Sequence, residues 1–300
     1  MNGFLSVNKP RGVTSSDVVV RVRRLLPRGT AIGHGGTLDP DASGVLPLCV
    51  GRATRLFDYI IDKTKTYVAE LQLGVETDTQ DAGGQAVVVR PVEAGEAELR
   101  AALPALIGDI LQTPPMYSAI KQNGQRLYRL AREGQVVARD ARRCRVEDIR
   151  LLGQTGEDRY RLEIRCGKGV YIRTLCHDIG QALGCGGHMA SLERTAAGIF
   201  RIEESHTPDR IAELAAEGLL EQALLPLDAP LEHLPRRTVG GEAAHAVRNG
   251  NPLRPEWLDR PVDEEGQIVR IYLKDRFAGI GVGQPDGSLR FRCMLLEVAP

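Results

Sequence analysis

The sequence predicts an α+β fold, with a mixed, mainly antiparallel sheet and a small β-rich domain at the C-terminus. The predicted strands alternate apolar and polar residues, whereas strands of a doubly wound parallel sheet are continuous apolar runs. The predicted helices are interspersed irregularly among these strands, and no internal repeat is evident. At 300 residues, the chain is long enough for about two domains.

The first predicted helix follows the N-cap residues Ser15-Ser16-Asp17, where Val18 and Val22 begin an i, i+4 apolar spacing. Helical spacing predicts further helices over residues 97–107, 126–133, 172–183 and 208–224. Thr207 and Pro208 supply the N-cap and the first position of the last of these helices.

Half-buried strands are predicted over 66–74 and 160–166, where apolar and polar side chains alternate. The composition changes beyond residue 228, where prolines become frequent. A short helix over 242–249 stops at Gly250, and three short strands follow, over 268–273, 278–282 and 289–296. Asp286-Gly287 predicts a hairpin turn between the last two strands. We therefore predict one domain over 1–228 and a second over 229–300.

The chain carries 39 basic and 39 acidic residues, a balance that by itself argues against a nucleic-acid-binding protein. The charges are nevertheless segregated. Residues 1–30 hold six basic groups against one acid, and residues 117–150 hold nine against four, whereas residues 203–232 hold eight acids against one base. Because charges are screened within about 10 Å, a ligand senses these local excesses. Charge alone leaves phosphate contacts and solvated basic helix faces as alternatives.

Several classes of protein are excluded or disfavoured. No apolar run is long enough to span a membrane, and no secretion signal begins the chain, so we expect a cytoplasmic protein. The six cysteines include no C-x-x-C pair, and Cys176-His177 is a poor pair of zinc ligands, so we expect core thiols and no metal. No phosphate-binding loop is present, and Gly279-x-Gly281-x-Gly283 lies in a late strand, so we expect no nucleotide cofactor.

The most unusual stretch is residues 33–48, in which glycines surround a histidine and an Asp-Pro pair. Glycines on both sides of Asp39, with Pro40 after it, predict a shaped loop that a ligand approaches closely. A plain Asp-Pro turn is the alternative. His34 and the length of the loop favour a functional site.

A second cluster covers residues 166–175, where a strand passes through glycines into a helix. Arg173 beside a carboxylate would keep that acid ionised and oriented, although a purely structural arginine fits the same spacing. Periodicity alone makes Tyr67 a core residue of its strand.

Six ordered motifs carry a resemblance to a known family. They are Asn8-Lys9-Pro10-x-Gly12-x-Thr14-Ser15, Gly33-His34-x-Gly36-x-Leu38-Asp39-Pro40-x-Ala42-x-Gly44-x-Leu46, Lys65-x-Tyr67, Thr77-Asp78-x-x-Asp81, Pro114-Pro115-x-Tyr117-Ser118-Ala119 and Gly169-x-Tyr171-Ile172-Arg173. In this order they resemble the TruB-type tRNA pseudouridine-55 synthases over residues 3–200. The resemblance implies a pseudouridine-synthase catalytic domain followed by a PUA-like RNA-binding domain.

The resemblance implies that Asp39 is the nucleophile that isomerises a uridine to pseudouridine in the T-loop of tRNA, without a cofactor. The uridine must be extruded, because its reacting face is inaccessible in the base stack. Tyr67 would pack on the flipped base and assist proton removal from C5, and Arg173 would pair with Asp39. Whether the carboxylate adds to the base or attacks C1′ of the ribose stays open, and both routes need it ionised.

The resemblance also implies the substrate-binding residues. His34 would lie near the vacated stack, Tyr171 and Leu192 would line the pocket, and Lys9 would contact the substrate. An insertion over residues 113–145 would grip the T-arm through phosphate contacts; its candidate residues are Lys121, Arg126, Arg129 and Arg132. Basic residues on a solvent-facing helix remain the alternative for the last three.

Two positions depart from the family pattern: Gly35, where a threonine is common, and Glu193, where a basic residue is expected. The tRNA is the expected partner, and nothing demands more than a monomer. Two rival interpretations remain. One is an RNA-binding or tRNA-folding module without catalysis, and the other is a metal-dependent hydrolase that uses Asp39, Asp41 and His34 and that chelators inhibit.

Overall fold

The computed structural model describes residues 1–61, 63–118, 121–122, 124–135 and 137–296. The helices in this part of the chain are α1 (Ser15–Arg23), α2 (Phe57–Ile61), α3 (Glu96–Ala102), α4 (Leu127–Arg132), α5 (Ile172–Ala182), α6 (Pro208–Ala216) and α7 (Ala244–Asn249). None of them is long and apolar enough to cross a membrane.

The strands within the same described ranges are β1 (Gly3–Lys9), β2 (Ile32–His34), β3 (Ser43–Val50), β4 (Lys65–Leu73), β5 (Val75–Thr77), β6 (Ala86–Val89), β7 (Gly108–Gln112), β8 (Lys121–Gln122), β9 (Gln125–Arg126), β10 (Arg142–Gly156), β11 (Arg159–Cys166), β12 (Gly187–Ala197), β13 (Phe200–Arg201), β14 (Arg236–Val239), β15 (Ile268–Leu273), β16 (Arg276–Gly283) and β17 (Leu289–Met294).

The main sheet has nine strands in the order β1-β3-β12-β4-β11-β10-β7, with β2 paired to β3 and β13 to β12. Its ladders are antiparallel except where β12 runs parallel to β3. The predicted mixed, mainly antiparallel sheet is therefore confirmed. Along β4, buried and half-buried residues alternate without interruption, as the sequence pattern predicts.

Helix α5 packs on the buried face of this sheet. Its residues Ile172, Leu175 and Ile179 share one apolar cluster with Ala69 and Leu71 of β4. Burial of each large apolar side chain contributes about 1.5–3 kcal/mol, so this cluster fixes α5 against the strand that carries Tyr67.

The N-cap of helix α1 lies one residue before the predicted N-cap residues Ser15-Ser16-Asp17. Its N-cap is Thr14, which forms a capping box: Thr14 Oγ1 accepts from Asp17 N at 3.1 Å, and Asp17 Oδ2 accepts from Thr14 N at 2.9 Å. Ser15 is instead turned to the loop before β3, where its hydroxyl donates to Leu38 O at 3.0 Å and accepts from Leu38 N at 2.9 Å. A predicted cap is thus a tether for the Asp39 loop.

Two predicted helices are shorter than their apolar spacing indicates. The segment 97–107 is α3 followed by a 3-10 turn over Leu103–Leu106, because Pro104 cannot donate the next helical hydrogen bond. The segment 208–224 is α6, and it ends before Gly218, which has a φ of +72°. Its N-cap is Thr207, as predicted.

The C-terminal region forms its own four-stranded sheet, in the order β14-β15-β16-β17. The predicted hairpin joins β16 to β17 around Gly287, and α7 ends at Gly250, which has a left-handed backbone. The predicted β-rich C-terminal region is confirmed. Arg52 Nη1 donates to Leu295 O at 2.7 Å and ties this sheet to the N-terminal part. The boundary at 228/229 stays a prediction.

Candidate active site

Asp39 lies in the loop that joins β2 to β3. Backbone hydrogen bonds hold this loop: Ala42 N donates to Asp39 O at 3.1 Å, and Gly12 N donates to Pro40 O at 2.9 Å. Together with the tether from Ser15 to Leu38, they fix the backbone on both sides of the carboxylate. The side chain of Asp39 is 44 % exposed, so a ligand can reach it.

Lys9 is buried beneath the Asp39 loop, and its contact with the substrate stays a prediction. Its side chain is fully buried, and Lys9 Nζ donates to the carbonyl oxygens of Pro10, Val13 and Pro40 at 2.9, 2.7 and 3.1 Å. Removal from water lowers the pKa of this amine to about 8, while the carboxylates of Asp41 and Asp39 oppose the shift. Lys9 therefore supports the Asp39 loop from beneath.

Arg173 connects the Asp39 loop to α5. Its buried guanidinium lies between two carboxylates: Nη2 is 3.0 Å from Asp39 Oδ2, and Nη1 is 3.3 Å from Asp81 Oδ2. The same two nitrogens donate to Tyr117 O at 2.8 Å and to Thr79 O at 3.3 Å. Four acceptors fix the guanidinium, so the accessible carboxylate of Asp39 has one preferred orientation.

The pKa of Asp39 is raised above its usual 3.8. Loss of hydration is the main cause, even though part of the side chain remains exposed. Arg173 and Lys9 lower the pKa, whereas Asp81 and Asp41 raise it. Arg173 is thus the largest influence that keeps the Asp39 carboxylate ionised.

Tyr67 lies on the buried face of β4 and belongs to the cluster that contains Leu38 and Ala42 of the Asp39 loop. Burial raises the pKa of its hydroxyl, and the Arg194 guanidinium opposes that shift. The periodicity correctly places Tyr67 on the core-facing side. The fold in addition brings that side against the Asp39 loop.

Three predicted pocket residues surround the same region. Leu192 of β12 packs in the cluster of Tyr67. Tyr171 is the N-cap of α5, and its backbone N–H donates to Gln112 Oε1 at 3.0 Å. His34 ends β2; burial and Arg194 lower its pKa, so its imidazole is neutral at pH 7.

Asp81 and Arg194 are the two residues whose positions the sequence does not reveal. Asp81 is part of a motif that resembles the family, but spacing alone does not pair it with Arg173, which is far along the chain. Arg194 follows Glu193 with no signal of its own, and it is fully buried beside Tyr67.

The predicted RNA-gripping residues are only partly visible. The side chains of Lys121, Arg126 and Arg132 lie outside the described residues. Arg129 of α4 is 73 % exposed, and its Nε is 3.5 Å from Glu133 Oε1. This weak surface pair leaves the Arg129 guanidinium accessible to phosphate.

The two departures from the family pattern have different surroundings. A Cβ at Gly35 would lie 2.4 Å from Ile60 Cδ1, so a threonine there requires Ile60 to move. Glu193 is half-buried and lines a shallow cavity with Arg11 and Arg161. The missing side chain at Gly35 therefore leaves the space that Ile60 fills in this chain.

The residues of the metal hypothesis are not grouped for coordination. Within the described ranges, no set of three or more His, Cys, Asp or Glu side chains could hold a metal ion. Five of the six cysteines are buried and all are free, as predicted for core thiols. Burial raises the pKa of Cys49, Cys166 and Cys176 to about 12, which makes these thiols unreactive.

Solved structures share this fold over almost the whole chain. One, titled "Crystal Structure of a Cbf5-Nop10-Gar1 Complex", is 27% identical, covers 99% of this chain and 84% of its own, and superposes with a TM-score of 0.72. Another, titled "Structure of H/ACA RNP bound to a substrate RNA containing 2'-deoxyuridine", is 25% identical, covers 98% of this chain and 85% of its own, with a TM-score of 0.74. The chain therefore has the pseudouridine-synthase fold.

The sequence matches two family profiles that meet end to end. "TruB family pseudouridylate synthase (N terminal domain)" covers residues 23–172, and "tRNA pseudouridylate synthase B C-terminal domain" covers residues 173–232. The chain belongs to the TruB family of tRNA pseudouridine synthases. It is an isomerase that converts uridine to pseudouridine in tRNA.

Relatives named tRNA pseudouridine synthase B match over nearly the full length. The one from Alkaliphilus oremlandii is 43% identical over 283 residues, which is 94% of this chain and 93% of the relative. The one from Stutzerimonas stutzeri is 42% identical over 299 residues, 98% of this chain and 96% of the relative.

Proposed function

We propose that this enzyme isomerises the uridine at position 55, in the T-loop of tRNA, with Asp39 as nucleophile on a flipped-out base. The observation that carries the proposal is the 3.0 Å contact between Arg173 Nη2 and an accessible Asp39 carboxylate. That arrangement provides an accessible carboxylate oxygen, oriented by Arg173 and adjacent to the apolar cluster that contains Tyr67 and Leu192. No cofactor is needed, because the reaction makes and breaks bonds within one nucleotide.

The reaction breaks the N1–C1′ bond and forms a C5–C1′ bond. C5 loses its proton, and N1 gains a proton. Asp39 either attacks C1′, so that the detached base rotates and returns through C5, or adds to the base. In both routes the carboxylate leaves again unchanged. Arg173 stabilises the ionised carboxylate at the start and the end of the cycle.

Tyr67 and Leu192 provide the apolar surface on which the extruded uracil packs. The Tyr67 hydroxyl assists removal of the C5 proton. His34, with a neutral imidazole, occupies the space that the extruded base leaves in the loop. Since these side chains are half-buried or buried before the substrate arrives, little conformational entropy opposes binding of the base.

The RNA surface includes the basic insertion over residues 113–145 and a PUA-like C-terminal domain over 229–300. Support comes from the nine basic residues against four acids within 117–150 and from the separate C-terminal sheet. The acidic stretch 203–232 cancels this charge in the total. The enzyme acts in the cytoplasm, where tRNA is modified, as a monomer.

The proposal is tested with a synthetic T-arm stem-loop and the purified enzyme. Mass spectrometry after cyanoethylation should show one labelled pseudouridine, at the position that corresponds to 55. A matched stem-loop with cytidine at that position should stay unlabelled. Labelling elsewhere in the loop, or none, would contradict the proposal.

Replacement of Arg126 and Arg129 by alanine should weaken binding of the stem-loop and reduce the slope of log affinity against log salt. Each lost phosphate contact lowers the slope by about one. Filter binding over a range of salt concentrations measures it. Arg210→Ala is the matched control, since this exposed arginine pairs with Glu213 inside the acidic stretch and should leave the slope unchanged. An unaltered slope in the double variant would make both residues part of a solvated face.

A further inference from the structure

Arg194 carries a positive charge that is buried inside the main sheet. Only 1% of the residue is exposed, and within the described part of the chain no carboxylate forms a salt bridge with it. Its guanidinium donates instead to three backbone carbonyls: Nε to Val45 O at 2.7 Å, Nη2 to Gly36 O at 3.0 Å and Nη1 to Thr37 O at 3.5 Å. A charge buried in this way costs stability, so its position requires an explanation.

The three carbonyls lie on both sides of Asp39. Gly36 and Thr37 precede it in the loop, whereas Val45 follows it in β3. One rigid, planar group therefore holds the entry and the exit of the loop at a fixed separation. The flanking hydrogen bonds of Ser15 and Lys9 hold the middle of the same loop.

The backbone of Arg194 lies where the two halves of the main sheet meet. On one side Arg194 pairs with Gly44 of β3, and on the other side it pairs with Tyr67 of β4. A Cβ at Gly44 would lie 2.2 Å from Arg194 O, so only glycine permits this close approach. Asp39 comes from the first half and Tyr67 from the second, and Arg194 contacts both halves.

We propose that Arg194 is a positioning residue, which sets the distance between the Asp39 loop and Tyr67. The inference rests on the proposed function, because pseudouridine formation provides its readout. Because Arg194 is buried and its guanidinium donates to backbone on both sides of Asp39, we expect it to contribute to the chemical step and not to RNA affinity. The same cation opposes the rise in the pKa of Tyr67 that burial causes, and it adds to the fall in the pKa of His34.

The test is Arg194→Lys, assayed by single-turnover kinetics at saturating stem-loop. Lysine keeps the charge but offers one donor group in place of the planar fork, so it cannot hold both ends of the loop. We expect the rate to fall about 100-fold, as for a displacement of about 1 Å at a reacting group. RNA affinity should stay within about threefold. Arg194→Gln, which lacks the charge, should be slower still.

Arg237→Lys is the matched control. Arg237 is equally buried and donates to Pro261 O and Asp263 Oδ2, but it lies in the C-terminal sheet. Its replacement should lower the melting temperature without changing the single-turnover rate. Rates within threefold of the parent enzyme in Arg194→Lys, or an equal loss in Arg237→Lys, would overturn the inference. If the parent enzyme forms no pseudouridine, the proposed function fails instead. If Arg194→Lys does not fold, the single-turnover rate of Arg194→Gln is compared with those of the parent enzyme and Arg237→Lys in the same way.

Discussion

Replacement of Asp39 by asparagine should abolish pseudouridine formation and leave tRNA binding within about tenfold, roughly 1.4 kcal/mol. Asparagine has nearly the same shape, so the loop held by Lys9 and Ser15 stays in place. Its amide is not a nucleophile, however, and neither the base nor C1′ can be attacked. The measurement is the cyanoethylation assay beside filter binding of the same RNA.

Asp41→Asn is the control for this variant. Asp41 is an exposed carboxylate in the same loop, two positions after Asp39. Under the proposed function its replacement should leave turnover nearly unchanged, whereas a metal-dependent hydrolase that uses both aspartates should lose activity with either. Normal turnover by Asp39→Asn would contradict the proposal that Asp39 is the nucleophile. An RNA-folding module without catalysis would show no isomerisation in the parent enzyme and the same binding in both variants.

Replacement of Arg173 by glutamine should reduce the single-turnover rate by two to three orders of magnitude, about the cost of a lost preorganised donor. Glutamine cannot hold Asp39 and Asp81 together, and the two carboxylates then repel each other. Arg173→Lys keeps the charge but not the planar fork of donors, so its single-turnover rate should lie between those of the parent enzyme and the glutamine variant. Stem-loop affinity, measured in parallel, should change far less than the rate.

The pH profile gives an independent readout of Arg173. Under the proposed function the protonated form of Asp39 should be inactive, so we expect activity to fall as the pH falls through the pKa of Asp39. Arg173 lowers that pKa against loss of hydration and against Asp81. Its removal therefore raises the pKa, and the acidic limb of the glutamine variant should move to higher pH. An acidic limb at the same pH as in the parent enzyme would show that Arg173 does not control the ionisation of Asp39.

Local patterns were sufficient where a residue's role depends on its neighbours in the chain. The alternation along β4, the cap at Thr207 and the hairpin at Gly287 all appear in the structure as predicted. The loop around Asp39 could be singled out because glycine and proline constrain the backbone locally.

Local patterns failed where a polar group has a partner far away in sequence. Ser15 resembles an N-cap, yet its hydroxyl bonds to Leu38 across the fold. The spacing around Lys9 likewise does not indicate that its amine donates to Pro40 O, 31 positions along the chain. In both cases the competing partner comes from another element, so neither spacing nor residue type reveals it.

The amino-acid sequence alone determined the α+β class, the faces of the strands and the position of the Asp39 loop, because backbone propensity and hydrophobic periodicity act over a few residues. Only the tertiary structure decided which charges meet. Arg194 donates to Val45 across 149 positions, and Arg173 joins Asp39 to Asp81. Such contacts depend on the order and register of β3, β12 and β4, which hydrogen bonding between distant strands sets.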